Sequence, residues 1–436
     1  MKRNALYPLQ AWLENPARKP LVIRGARQVG KSTLVREFCR EHQLSLVEIN
    51  LEKNKIDHVF SELNIEKIIR EIESITRKSL RDPGAVLFLD EIQAVPSAIE
   101  ALRYFYEERP SLPVVAAGSL LEFVLNREKL SIPVGRIQYL FLGPMAFDEF
   151  LLAKHEDLLL KSSNDPRRAQ NDHKRLTDLF KEFLFVGGMP EAVKVWCETN
   201  DIKKVQEVHA SILNTYCDDF DKYDSQRGHL RLNKVWNWIP SEIGKKVKYV
   251  NISREHQARE LKNALDLLIA ARVVIPVYHT SASGLPLRAQ ADESCYKLYF
   301  LDVGLLCAAL GIGYGSIANY DEEALVNKGQ LAEQFVAQHL YYLNDSLFPP
   351  ELFYWVRDKK NSSAEIDFLM TRNGMILPVE VKSGAIGRFR SLDVFMDEKK
   401  LSQAIVLNMN KEDEIKEKGR SIRTFPLYQL PGCLKE

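Results

Sequence analysis

"IRGARQVGKST", running from Ile23 to Thr33, decides the fold of the first third of this chain. It matches GxxxxGK[ST] from Gly25 to Ser32, with a short β-rich run, "PLVIRG", before it and a helical pattern, "STLVREFCREH", after it. A strand, a glycine-rich turn and a helix N-terminus together form an anion cradle. Gly25 and Gly30 let the backbone wrap close to phosphates, and successive N–H groups and the helix dipole supply positive potential. Lys31 then places an ammonium on the β- and γ-phosphates, and Ser32 offers its hydroxyl to Mg²⁺. The pattern therefore predicts a nucleotide contact along Gly25, Ala26, Arg27, Gln28, Val29, Gly30, Lys31, Ser32 and Thr33, with ATP and Mg²⁺ as the cofactors.

Downstream, "AVLFLDEIQ" is a buried-strand run that ends in Asp90 and Glu91. Asp90 is placed to hold the Mg²⁺ shell and Glu91 to orient or deprotonate the attacking water. Ser119, at the end of "VVAAGSLL", is a candidate sensor of the γ-phosphate. Arg136, in "VGRIQYLFLGPMAFDEF", is a candidate for stabilising transition-state charge, in cis or on a neighbouring subunit. The bland alternatives are a small loop residue and a surface salt bridge. The runs "PLVIRG", "LSLVEIN", "AVLFLD" and "LPVVAAGS" alternate with helical patterns, which predicts a parallel sheet covered by helices.

A chain of 436 residues is too long for one core and implies two to three domains. The expected divisions are 1–170 for the phosphate-binding domain, 171–318 for a helical and winged-helix region, and 319–436 for a final α/β domain. The stretch "SSNDPRRAQND", Ser162 to Asp172, reads as a linker or exposed loop. A net charge of +1 excludes a chain-wide field for polyanions, though not a local one. The six cysteines are scattered without a CxxC pair and read as reduced thiols. No run approaches the length of a membrane span or a signal peptide, so a cytoplasmic protein is expected.

In this order, "RGARQVGKSTL", "LFLDEIQ", "AAGSLLEF", "FLFVGGMPEAV", "YFLDVGLL" and "YWVRDKKNSSAEIDFLM…PVEVKSG" resemble a group of prokaryotic AAA+-type ATPases with a C-terminal domain of unknown function. The resemblance spans almost the whole chain. It implies ATP binding and hydrolysis, a helical or winged-helix middle and a C-terminal domain similar to restriction endonucleases. It supplies no substrate.

The middle region carries "FLFVGGMPEAV", where Gly187-Gly188 suit a left-handed helix cap and Pro190 the first turn of the next helix. Arg231, Lys234, Lys245, Lys246, Lys248, Arg254, Arg259 and Lys262 are interleaved with Trp236, Trp238 and Tyr249. That set suits phosphate contacts along a duplex, or else a solvated helix face over an aromatic core.

In the last domain "AEIDFLMTRNGMILPVEVKSG", Ala364 to Gly384, reads as a hairpin turning at Asn373-Gly374. Pairing outward from that turn sets Asp367 opposite Glu380, with Lys382 on the same face. Facing carboxylates destabilise a sheet by roughly 0.2–1 kcal/mol, so a cation is expected between them. The D…E-x-K spacing matches the PD-(D/E)XK nucleases. In that reading Asp367 and Glu380 bind Mg²⁺, Lys382 positions a water, and Glu333 aligns with the extra acidic residue such domains often carry. Lys382, Arg388 and Arg390 form a small basic cluster suited to a nucleic-acid backbone, DNA foremost. The same residues also read as a structural ion cluster, or as a domain that binds without cutting. A nucleotide-dependent switch and an oligomeric remodelling motor stand beside the nuclease as whole-chain readings.

Overall fold

Short apolar runs between helical patterns become the first of two sheets in the computed structural model, which describes residues 1–118, 135–220, 226–318, 329–343, 347–357, 364–382, 389–417 and 419–433. Strands β1 (Leu21–Arg24), β2 (Ser45–Asn50), β3 (Ala85–Asp90), β4 (Val114–Gly118) and β5 (Gln138–Phe141) lie in the order β2-β3-β4-β1-β5, all parallel. Every residue of β3 and β4 is buried, because helices cover both faces. The Ile65–Thr76 helix shows how. Ile65, Ile68, Ile69 and Ile72 recur at helical spacing and form its buried stripe. Parallel strands bring their carboxyl ends to one edge, where the 25–32 loop, Asp90 and Gly118 gather.

The polar stretch 162–172 is not a linker. It ends the Asp157–Ser163 helix and opens the Pro166–Val186 helix, and Ser162 and Ser163 are buried. Pro166 begins the second helix, the position at which a missing N–H costs nothing, so the proline marks a start and not a break. The 170/171 division expected from the sequence thus falls inside a 21-residue helix. Gly187, at φ 71°, ends it, and Pro190 opens the Pro190–Thr199 helix. The Ile202–Asp219, Gln226–Trp238 and Ala258–Ala270 helices follow.

The second sheet has eight strands in the order β12-β13-β11-β10-β9-β8-β6-β7. They are β6 (Val274–Thr280), β7 (Ala291–Phe300), β8 (Leu352–Val356), β9 (Glu365–Arg372), β10 (Met375–Val381), β11 (Gln403–Asn408), β12 (Asp413–Glu417) and β13 (Arg420–Pro426). The β6–β7 hairpin, expected as a wing of the middle region, instead extends the C-terminal sheet. Val277, Tyr278 and His279 pair in parallel with Leu352, Phe353 and Tyr354. Both strands bury apolar faces that a free wing would expose, and one ladder crosses the expected 318/319 division. The Gln330–Leu343 helix packs on this sheet and on the first domain: His339 Nε2 lies 2.9 Å from the Phe147 amide, and Tyr342 covers Gly143. Among the described residues no helix is long and apolar enough to cross a membrane.

Candidate functional site

The 25–32 loop is shaped by close approaches. A Cβ on Gly25 would sit 2.2 Å from the Leu142 carbonyl oxygen, so only glycine fits there. Gly30, at φ 92°, is the N-cap of the Lys31–Glu41 helix, whose first amides point into the loop. Gln28 also adopts a positive φ, of 64°. Lys31 is buried, and its Nζ donates to the carbonyl oxygens of Gly25 (3.1 Å) and Ala26 (2.8 Å). Burial lowers its pKa to about 8, against the opposing pull of Glu91 and Asp90. A buried ammonium held by two carbonyl dipoles is poorly compensated, which is the demand an anionic phosphate meets. Ser32 Oγ donates to both oxygens of Asp90, at 3.0 and 3.1 Å. This pairing of a hydroxyl with a carboxylate at the end of β3 is an oxygen set that suits Mg²⁺. The residues present therefore fit a magnesium nucleotide, with Ser32 and Asp90 on the metal side and Lys31 on the phosphate side.

Glu91 adopts the left-handed conformation, φ 51° and ψ 48°, and its Oε2 accepts from Gln93 Nε2 at 2.6 Å. A non-glycine residue in that region costs energy and is held there by its surroundings. Arg136 does not join this group. It lies two residues before β5, whose Gln138 pairs with Leu21 at the opposite end of β1 from the loop, and its guanidinium bonds Glu107 at 3.2 Å on the surface. The expected cis contact is therefore not made, because parallel pairing of β5 with β1 fixes the residue at the amino end of the sheet. Ser119 lies outside the described residues, as does Arg388.

The loop has partners that no pattern announced. Arg27 Nη1 donates to Asp219 Oδ1 and Oδ2 at 2.5 and 2.6 Å, and Tyr216 Oη donates to the Arg27 carbonyl at 2.8 Å. Both come from the Ile202–Asp219 helix. Arg3 reaches the loop from the other side, donating to the carbonyls of Val29 (3.0 Å) and Gly143 (2.8 Å) while its Nε pairs with Glu149.

In the second sheet the hairpin register is the one its turn dictates. Arg372 pairs with Met375 and Phe368 with Val379, around Asn373 and Gly374, both at positive φ. One step further, the Asp367 amide donates to Glu380 Oε2 at 3.4 Å and the Val381 amide to Asp367 Oδ2 at 2.8 Å. Lys382 Nζ pairs with Glu380 Oε1 at 2.6 Å. Glu333 stands near them on the Gln330–Leu343 helix, accepting from Tyr299 Oη at 2.7 Å. Burial, then the charge of Asp367, raises Glu333 to about 7 and Glu380 to about 8. Burial also raises Asp367. For Lys382 burial pulls the pKa down, but Glu380 and then Asp367 outweigh it. Two members were missed. Lys297 is buried and ion-paired with Glu365, and Tyr299 is fully buried. The available signal was a lysine and a tyrosine two apart in an apolar strand, "CYKLYF", which puts them on one face. The carboxylates are oxygen donors, the kind Mg²⁺ prefers, although among the described residues their oxygens do not converge as the ligand atoms of His279, Asp292 and Cys295 do. The structure brings Glu333, Asp367, Glu380 and Lys382 into one neighbourhood.

Residues 17–151 match the family model of an AAA domain. This segment is similar to the AAA-type domains of P-loop ATPases. Residues 177–315 and 328–430 match two domains of unknown function, DUF8612 and DUF4143. No curated protein matches. Among solved structures, the Thermotoga maritima RuvB Holliday junction branch migration motor is 17% identical and covers 62% of this chain and 88% of that chain, at a TM-score of 0.30.

Outside the AAA domain, the basic residues of the middle region are partly spoken for. Arg231 pairs with Glu260, Lys234 with Glu255 and Lys245 with Glu242. Trp236 is buried with its ring 4.7 Å from that of Phe300, and Tyr249 Oη bonds Tyr296 Oη at 2.9 Å. The aromatic members of this set are thus largely core, which narrows the phosphate-binding reading to Lys246, Lys248, Arg254, Arg259 and Lys262.

Proposed function

We propose that the AAA domain binds and hydrolyses ATP with Mg²⁺ along Gly25–Thr33, Asp90 and Glu91, and that this cycle licenses metal-dependent cleavage of nucleic acid, DNA foremost, at Asp367, Glu380 and Lys382. The observation that supports the second half is the contact set at the hairpin base, where Val381 N holds Asp367 and Lys382 holds Glu380. Asp367 and Glu380, with Glu333 as the further acidic residue, would hold the divalent ion, which polarises a scissile phosphate and acidifies a water. Lys382 orients that water or meets the developing charge. The Gln330–Leu343 helix offers a connection, since it carries Glu333 at one end and touches the AAA domain through His339 and Tyr342 at the other. Assembly into a homo-oligomer and a cytoplasmic location belong to the same reading.

One observation favours a second reading, a nucleotide-dependent switch whose C-terminal domain docks a partner without cutting. The ion pairs Lys382–Glu380 and Lys297–Glu365 already offset much of the acidic charge within the protein. A cleavage assay on plasmid and linear DNA, with Mg²⁺ or Mn²⁺ and with or without ATP, separates the two. Nicking that needs metal and vanishes in Glu380→Ala supports the nuclease. Equal nicking by parent and variant assigns the cutting to a contaminant and favours the switch.

A further inference from the structure

The β6–β7 hairpin carries a group of side chains that neither site uses. His279, Asp292 and Cys295 each offer one ligand atom, and the three atoms all lie within 4.8 Å of one another. They form the one such group of three or more His, Cys, Asp or Glu among the described residues. The backbone is irregular at this point. The ladder runs regularly from Val274–Phe300 to Tyr278–Tyr296, then jumps so that His279 faces Asp292. Glu293, Ser294 and Cys295 are left as a bulge, which folds Cys295 back toward the His279–Asp292 pair. Bulges re-aim side chains, and they recur beside functional sites.

The surroundings resemble the outer shell of a metal centre. Ser294 holds the Asp292 carboxylate with both its amide (2.9 Å) and its hydroxyl (2.6 Å), and both contacts fall on Oδ1, so Oδ2 takes no part in that clamp. Tyr354, the β8 residue that pairs with His279 of β6, places its buried hydroxyl 3.1 Å from Cys295 Sγ. A phenol there can donate to a thiolate, the form in which cysteine binds metal. The His279 ring stands edge-on to that of Tyr354, with centroids 5.5 Å apart. The Lys297 ammonium lies over the same tyrosine ring, 5.0 Å from its centroid. Tyr354 thus bridges this group and the acidic cluster of the same sheet.

We propose that His279, Asp292 and Cys295 form a site for a thiophilic divalent cation, Zn²⁺ in the first place. One nitrogen, one carboxylate and one sulfur make a borderline-soft set that suits Zn²⁺ and disfavours Mg²⁺, whose preference is for oxygen. Three protein ligands leave a fourth position. Asp292 is exposed and the other two are half-buried, so that position is open to water or to a phosphate oxygen of a substrate. The site is thereby chemically distinct from the oxygen-only cluster at Glu333, Asp367 and Glu380.

Cobalt is the probe that reports on sulfur. The tag-free full-length chain, stripped with a chelator, is titrated with Co²⁺ and followed by absorption. The expected result is one equivalent bound with a thiolate-to-cobalt charge-transfer band and the intense visible bands of a four-coordinate ion, both bleached by stoichiometric Zn²⁺ and untouched by excess Mg²⁺. Cys295→Ser removes the charge-transfer band, whereas Cys197→Ser, which alters an exposed thiol elsewhere, retains it. His279→Gln provides a second variant in case the serine change disturbs the hairpin, and it weakens Co²⁺ binding at least tenfold, as loss of a ligand does. Circular dichroism verifies that each variant is folded. The absence of a thiolate band in the parent, or its persistence in folded Cys295→Ser, overturns the proposal.

Discussion

Arg27 of the phosphate-binding loop is clamped by both oxygens of Asp219, at 2.5 and 2.6 Å, so the loop is tied to the last turn of the Ile202–Asp219 helix. Tyr216, one turn earlier, holds the Arg27 carbonyl. Asp219 is almost wholly buried, and that guanidinium is one of its partners. Replacing Arg27 with Met leaves a buried carboxylate without this partner and lowers unfolding stability by about 1–3 kcal/mol. Tyr216→Phe costs about 0.5–1.5 kcal/mol. Denaturant titration of both variants and of Asp219→Asn, arranged as double-mutant cycles, measures the coupling. Strictly additive effects of Arg27→Met and Asp219→Asn would show that the pair is not energetically linked.

Lys31 carries a pH signature. Its pKa, lowered by burial to about 8 from the usual 10.5, means the free protein has released that proton at pH 9 while an unfolded chain has not. The unfolded state binds more protons between 8 and 10.5, so this residue makes stability rise with pH across that window and costs stability below it. A bound phosphate favours the ammonium and raises the pKa again. ATP binding at pH 9 is therefore expected to take up close to one proton, detectable by calorimetry in buffers of different ionisation enthalpy. Lys31→Ala abolishes both that uptake and turnover.

The carboxyls of Glu333 and Glu380 behave in the opposite sense. Their pKa values, about 7 and about 8, lie above the ordinary 4.5, so the folded chain holds protons that the unfolded chain has lost. Their contribution to stability is fully present below about pH 4.5 and is lost as pH rises through 7 and 8. Glu380→Gln removes part of that dependence and melts above the parent at pH 8 without metal. A divalent ion must displace these protons, so Mg²⁺ is expected to raise the parent's melting temperature more at pH 8 than at pH 6. An equal shift at both values would place the metal elsewhere.

Gly187 tests the joint behind the AAA domain. At φ 71° any side chain is strained, and a Cβ would lie 2.1 Å from Asp302 Oδ1 and 2.8 Å from the Gly304 nitrogen. That carboxylate also caps the following helix through Leu305 N and accepts from Gly188 N. Gly187→Ala combines backbone strain with overpacking and is expected to cost about 2–5 kcal/mol in unfolding experiments. A loss below about 1 kcal/mol would mean that the backbone around Gly187 relaxes to admit the methyl group.

Arg136→Ala provides the contrasting case. Its contact with Glu107 is exposed, at the amino end of β5, and such pairs contribute little. Turnover at low protein concentration and melting temperature are both expected to stay near the parent's. Turnover per subunit that rises with concentration in the parent but stays flat in the variant would reveal a role on a neighbouring subunit.

The two sites were legible in the sequence to different degrees, for physical reasons. Gly25, Gly30, Lys31 and Ser32 sit on one strand–loop–helix unit whose spacing fixes their geometry, and Asp90 ends an apolar strand that the parallel sheet brings to the same edge. The approach of Asp367 to Glu380 was readable because Asn373-Gly374 leaves one register open to the hairpin; the backbone ladder ends at Phe368–Val379, and the two carboxylates meet one step beyond it through side-chain contacts. Asp219, Tyr216, Lys297 and Tyr299 were not readable, since they arrive through tertiary packing across long separations and no local periodicity encodes a partner. The β6–β7 hairpin was legible as strands but not as members of the larger sheet, because a strand does not announce which neighbour it will take. Pro166 was misread for a simpler reason, as the same residue both stops helices and starts them.

The ladder between β6 and β8 has a practical corollary for anyone dissecting this molecule. A truncated chain that begins after residue 318 would leave β8 without its neighbour, and one that stops there would strand the hairpin in the same way. Each fragment would display a raw row of amides and carbonyls, prone to capture a second copy or to precipitate. Failure of either piece to behave in isolation would then report severed pairing and carry no information about what the intact chain does. Point substitutions, not truncations, are the suitable scalpel.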